Sequence, residues 1–156
     1  MKRKSDTNLQ SPFNKALKYL SYRQRSIKEI RDYLQKKDFS EQEISETIQK
    51  LLDYKFLNDT EFARTFVNSK QLRGKSKRNI SFELKLKGVS PDTSEEVLNE
   101  AKDDLEIAKE YIQKRIHQLE KLPKNDREKK IINRLKMRGY NWDIISEVLK
   151  IIETTS

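Results

Sequence analysis

Cysteine is absent from this chain of 156 residues, which rules out disulfides and thiolate metal sites without settling the compartment. Glycine and proline are scarce, three of each, and that scarcity disfavours strands and tight turns and favours helices joined by short connections. No hydrophobic run approaches the roughly 20 residues needed to span a bilayer. The start, Met1 to Ser11, is basic but lacks the apolar segment of a signal peptide. The single histidine, His117, lies in a charge-dense helix, and no phosphate-binding glycine-rich loop or HExxH spacing is present. Asp103-Asp104 and Glu95-Glu96 are adjacent carboxylates, which point in different directions on a helix. These absences lead to the expectation of a soluble cytoplasmic protein without catalytic residues, metal or cofactor.

Charge is what the chain has in quantity. Charged residues make up 38% and hydrophobic residues 34%, so each core must be thin. The 34 Lys+Arg exceed the 25 Asp+Glu, for a net charge of +9. Such an excess suits a polyanion or an acidic protein surface, although a basic isoelectric point alone would produce it too.

Three segments align with one another: Ser26 to Leu51, Ser76 to Ala101 and Arg127 to Ile152. Ile30, Ile80 and Ile131 match, and Leu34, Leu84 and Leu135 follow four residues later on the same helical face. Asp38, Gly88 and Gly139 then stop a helix with residues that tolerate the left-handed conformation. An apolar anchor follows each (Phe39, Val89, Tyr140), and Ser40, Ser90 and Asn141 supply the next N-cap. The last helix repeats its stripe at Ile48, Leu98 and Leu149. An amphipathic helix precedes each pair: Phe13 to Leu20, Phe62 to Val67 behind a cap at Asn58 or Asp59, and Leu105 to Leu119.

The expectation is an all-α molecule: a tandem array of three three-helix repeats stacked into an elongated, curved solenoid. Residues 1–11 read as a disordered basic tail, and the repeats occupy 12–57, 58–103 and 104–156. Internal loops fall at Arg73 to Ser76 and Leu122 to Asn125, with a break at Asp103-Asp104.

The middle helix of each repeat is basic. Lys28, Arg78 and Lys129 are equivalents, as are Lys85 and Lys136 one turn pair later, with Gln35 in the first repeat. Lys37, Lys87 and Arg138 are also equivalents, but in a helix's last turn cations stabilise the negative helix end, and that explains them. The densest stretch holds Lys70, Arg73, Lys75, Lys77, Arg78, Lys85 and Lys87 against Glu83 alone. Arg73-Gly74-Lys75-Ser76 reads as a flexible turn into a helix N-terminus, where an anion such as phosphate would be favoured. A merely solvated basic face is the plainer alternative. From Asp92 to Glu106 the sign reverses, with seven acids and one base, an arrangement that suits docking on a protein beside its nucleic acid. Trp142 and the tyrosines could stack on bases, but Trp142 follows an N-cap and is expected to pack.

With the repeat in hand, residues 13 to 152 resemble the RecX family. The strongest stretch is Tyr54-Lys55-Phe56-Leu57-Asn58-Asp59, Phe62-Ala63-Arg64, Phe66-Val67, Arg73-Gly74-Lys75, Glu83-Leu84 and Lys87-Gly88-Val89. Lys55 and Asp38 stand where the family usually has glycine, and the third repeat is the least typical. The resemblance implies a monomeric modulator, mostly an inhibitor, of the RecA recombinase filament. Through RecA it would act on ATP hydrolysis, strand exchange and the SOS response in recombination and DNA repair, with weak affinity for single- or double-stranded DNA and none for membranes. Charge then selects Lys28, Lys70, Arg73, Lys75, Lys77, Arg78, Lys85, Lys129 and Lys136 as candidate contacts with RecA or DNA. Two rivals remain: a stand-alone helical DNA binder, which would bind tightly and salt-dependently without a partner, and a scaffold whose concave face takes peptides.

Overall fold

A computed structural model describes residues 10–155, all helix and short connection, with no strand among the described residues. Repeat 1 contains α1 (Pro12–Tyr22), α2 (Ile27–Lys36) and α3 (Glu41–Asp53). Repeat 2 contains α4 (Asp59–Leu72), α5 (Lys77–Leu86) and α6 (Pro91–Glu100). Repeat 3 contains α7 (Asp104–Gln113), α8 (Ile116–Glu120), α9 (Lys124–Met137) and α10 (Trp142–Thr155). Residues 1–9 of the expected tail lie outside the described residues; Ser11 at its end caps α1, accepting the Asn14 N–H.

Local chemistry explains where each helix begins. Ser26 and Ser40 form complete capping boxes with Glu29 and Glu43, satisfying donors that the first turn otherwise leaves open. Asn58, rather than Asp59, caps α4, its Oδ1 accepting the Thr60 and Glu61 N–H groups. Ser90 caps α6 and Asn141 caps α10 in the same way. The three expected helix stops adopt left-handed backbones, with φ of 64° at Asp38, 78° at Gly88 and 94° at Gly139.

The repeat-equivalent apolar positions are the cores. Ile30, Ile80, Ile131, Leu34, Leu84 and Leu135 are all buried to within 1%. Removing such a side chain to alanine costs about 2–5 kcal/mol. In α10, Val148 is the fully buried member and Leu149 only partly so.

One expected helix differs. Leu105 to Leu119 is not continuous but breaks between α7 and α8. The Arg115 guanidinium donates to the Tyr111 carbonyl (3.0 Å), the acceptor that its own backbone N–H would take in an α-helix. That N–H bonds Ile112 instead, and the turn tightens.

The chain forms two compact units, and their boundary runs through the helices of repeat 2. One comprises residues up to Arg64 together with Leu84–Ser94; the other comprises Thr65–Glu83 and everything from Glu95. Each unit contains one meeting of middle helices. In the first, the N-terminus of α2 meets the C-terminus of α5: the Ser26 hydroxyl donates to the Lys87 carbonyl (2.7 Å). In the second, the N-terminus of α5 meets the C-terminus of α9: the Ser76 N–H donates to the Arg138 carbonyl (2.9 Å). In both, a positive helix end faces a negative one.

Candidate functional site

The basic turn begins where α4 ends. Its own geometry is local: Arg73 and Lys75 N–H groups bond the Lys70 carbonyl, and the Gly74 N–H bonds Gln71. Gly74 carries a φ of 80°, and Ser76 caps α5 through the Asn79 N–H (3.2 Å).

The turn, expected to be flexible, meets repeat 3 along its backbone. Its outward backbone groups are held by repeat 3. The Tyr140 hydroxyl donates to the Gly74 carbonyl at 2.7 Å in a buried hydrogen bond, and Arg138 Nε donates to the Arg73 carbonyl at 3.2 Å. The Tyr111 ring lies so close beneath Gly74 that a Cβ there would stand 2.3 Å from Cδ2. Gly139 is pressed equally close to Ser76 and Asn79. Burial and the nearby Asp104 push the Tyr140 hydroxyl well above the ordinary phenol range, against a smaller opposing effect of Arg138, so it remains a donor at physiological pH.

At the α5 N-terminus, where an anion was expected, the structure places a carboxylate of the chain itself. It belongs to Asp104 and accepts the Lys77 N–H at 3.0 Å, while Ser76 takes Asn79. The helix end, with its open donors and positive dipole, has drawn a carboxylate from the next repeat.

Several candidate cations are neutralised where they stand. Lys75 (3.0 Å) and Lys70 (3.7 Å) both approach Oε1 of Glu83, whose second oxygen is buried without a hydrogen-bond partner. Lys77 lies 3.8 Å from Asp103, and Lys28 pairs with Asp32 at 2.6 Å. Arg73, Arg78, Lys85, Lys129 and Lys136 stand exposed. Lys28 and Lys85 belong to the first unit and the other seven to the second, where Lys70, Arg73, Lys75 and Lys77 gather around the turn.

Sequence reasoning missed two guanidiniums. Arg115 (3.7 Å) and Arg138 (3.9 Å) each stack on the Tyr111 ring in the second unit, beside the turn. The Tyr111–Arg115 spacing of four residues was the available signal; nothing local pointed Arg138 there. Trp142 was expected to pack but is 58% exposed, because it occupies the first position of α10 and the inward stripe begins only at Ile144 and Ile145. His117 is exposed, as expected. Among the described residues no group of His, Cys, Asp and Glu could hold a metal, and no helix is long and apolar enough to cross a membrane.

The first unit has an equivalent turn, Arg23-Gln24-Arg25-Ser26, but its cations are engaged. Arg23 forks onto both oxygens of Glu29 and Arg25 lies 3.7 Å over the Tyr19 ring, which stacks on Tyr33. Glu29 also pairs with Lys87 at 3.4 Å. Burial alone would raise the Glu29 carboxyl, but the Arg23 and Ser26 hydrogen bonds and the charge of Lys87 outweigh it and hold the group below the usual carboxylate range. Asp59, which accepts the Ile27 N–H at 2.9 Å, moves the other way: burial raises it, and the charge of Glu29 adds to that.

Comparison with known proteins matches this arrangement repeat by repeat. Residues 13–51, 58–98 and 102–149 match family models described as the first, second and third three-helix domains of RecX. The chain is 39% identical over 143 residues to the regulatory protein RecX of Bacillus pumilus (strain SAFR-032), covering 88% of this chain and 54% of that one. Its identity to the regulatory protein RecX of Bacillus subtilis (strain 168) is 38% over 144 residues, covering 90% and 54%. The chain therefore spans about half the length of the curated relatives it matches. The crystal structure of RecX from Lactobacillus salivarius superposes with a TM-score of 0.77 at 28% identity, covering 94% of this chain and 97% of that one.

Proposed function

This chain belongs to the RecX family, and from that premise we propose that it binds the RecA recombinase filament in the cytoplasm and restrains its ATPase and strand exchange, without catalysis of its own. The observation that carries the reading is the run of three RecX domains in order along one all-helical chain, with relatives named as regulatory proteins. The contact surface proposed for the second unit is the turn at Arg73 and the adjoining Arg78, both exposed. Lys70, Lys75 and Lys77 lie close to acids of the same unit, which lowers the number of phosphates the protein can neutralise alone. That favours a regulator with weak DNA affinity over a stand-alone DNA binder.

The test follows RecA ATPase on single-stranded DNA while the chain is added below stoichiometry. Binding of the chain to the same DNA alone is measured in parallel. A fall in ATPase where free-DNA binding is negligible supports the reading, as does loss of that effect in the Arg73→Glu, Arg78→Glu variant. Unchanged ATPase with tight, salt-sensitive DNA binding would overturn it.

A further inference from the structure

The turn that displays Arg73 belongs to repeat 2, but the groups that hold its outward carbonyls come from repeat 3. Four observations converge on it, all within one compact unit. The Gly74 carbonyl accepts the buried Tyr140 hydroxyl, and the Arg73 carbonyl accepts Arg138 Nε. The Ser76 N–H reaches the Arg138 carbonyl, which no helical partner would satisfy at the end of α9. Tyr111, stacked by Arg115 and Arg138, fills the space under Gly74. A basic turn left to itself would sample many conformations, and ordering it on binding would cost affinity.

We propose that Arg138-Gly139-Tyr140 is a clamp that pre-forms the Arg73–Ser76 turn for its partner, with Tyr140 and Arg138 as positioning residues that never touch the partner themselves. The role in binding rests on the RecA reading above; the clamp itself does not. Repeat 3 thus serves in this unit as the support of repeat 2's contact surface. Tyr140 suits the task because its ring is a core side chain while its hydroxyl reaches a backbone carbonyl. Arg138 suits it because one planar fork stacks on Tyr111, donates to Arg73 and donates to the Arg134 carbonyl.

The experiment compares the full chain with Tyr140→Phe, which keeps the ring and loses the hydroxyl, and with Arg138→Lys, which keeps the charge and loses the fork. Amide hydrogen exchange is read across residues 73–77, and affinity for RecA filaments on single-stranded DNA is measured at fixed salt. Exchange in the turn is expected to rise about tenfold in Tyr140→Phe, the effect of one lost buried hydrogen bond, while the core amides of α9 stay protected. Filament affinity is expected to fall several-fold. In an Arg73→Glu background the same Tyr140→Phe change should still speed exchange but no longer alter affinity, which a merely structural role would not produce. Unchanged exchange in both variants would overturn the clamp. Faster exchange with undiminished affinity would overturn the positioning role. Faster exchange together with an Arg73→Glu variant that binds normally would instead overturn the RecA contact assigned to the turn, and the positioning role with it.

Discussion

The two compact units contain the same junction built twice, and they hold it by different chemistry. In the first, Glu29 sits between Arg23 and Lys87 at the start of α2. In the second, the position equivalent to Glu29 is Asn79, and the junction relies on Tyr140, Arg138 and the stacked Tyr111. The consequence concerns the cations of the preceding turn. Arg23 is taken up by Glu29 at the first junction and Arg25 by the Tyr19 ring, whereas Arg73 stands exposed beside a junction held by Tyr140, Arg138 and Tyr111. The first junction engages the cations of its own turn; the second leaves the Arg73 guanidinium exposed.

The comparison can be broken most severely at the glycine. Gly74→Val places a branched side chain inside the Tyr111 ring at a positive φ and should destabilise the second unit by about 3 kcal/mol or more, read as a shift in the urea midpoint. Its equivalent in the first unit, Gln24, is exposed, and Gln24→Val should stay within about 0.5 kcal/mol. Parity between the two variants would mean that the junctions are not held differently.

Charge reversal gives the next largest contrast. Arg23→Glu sets a carboxylate against Glu29 and should cost about 1–2 kcal/mol of stability. Arg73→Glu should cost little stability and act on filament binding. Thermal unfolding alongside the ATPase assay separates them, and the reverse pattern would place the contact surface on the first unit.

The acid response sharpens the comparison further. Glu29 has a lowered folded-state pKa, so its contribution is complete above the ordinary carboxylate value and is lost as the pH falls through the folded value. The first unit should therefore open before the second on acidification, and it should do so at higher pH in high salt, where its ion pairs are screened. Hydrogen exchange resolved by residue checks this.

Asp59 supplies the smallest and opposite effect. Its pKa is raised, so its ionised form costs stability that returns as the pH falls. Asp59→Asn keeps an oxygen for the Ile27 N–H and should be neutral or stabilising by up to about 0.5 kcal/mol at pH 7, with the pH dependence flattened. Clear destabilisation, measured by urea unfolding, would mean that the charge itself is needed.

Much of the fold was legible because it is periodic and local. The Ile30/Ile80/Ile131 and Leu34/Leu84/Leu135 register needs only the helical repeat, and the caps at Ser40, Ser90 and Asn141 act on N–H groups three residues away. The break at Arg115 was not legible, since it depends on a side chain outcompeting a backbone donor. Of the candidate site, the sequence identified the exposed Arg73 and Arg78 but could not see that Glu83 and Asp103 sit beside their neighbours. Glu83 was counted as one acid against seven bases; in space it faces two of them.

The sequence by itself determined three helical repeats, their caps and stops, their buried faces and the basic character of the middle helices, because each of these is set within a few residues. Only the tertiary structure decided that the α5 N-terminus is filled by Asp104, that the basic turn is clamped by Arg138 and Tyr140, and that the boundary between compact units runs through repeat 2. Those partners lie 27 to 66 residues apart in the chain, and what joins them is the pairing of helix ends whose open N–H and C=O groups no residue nearby could satisfy.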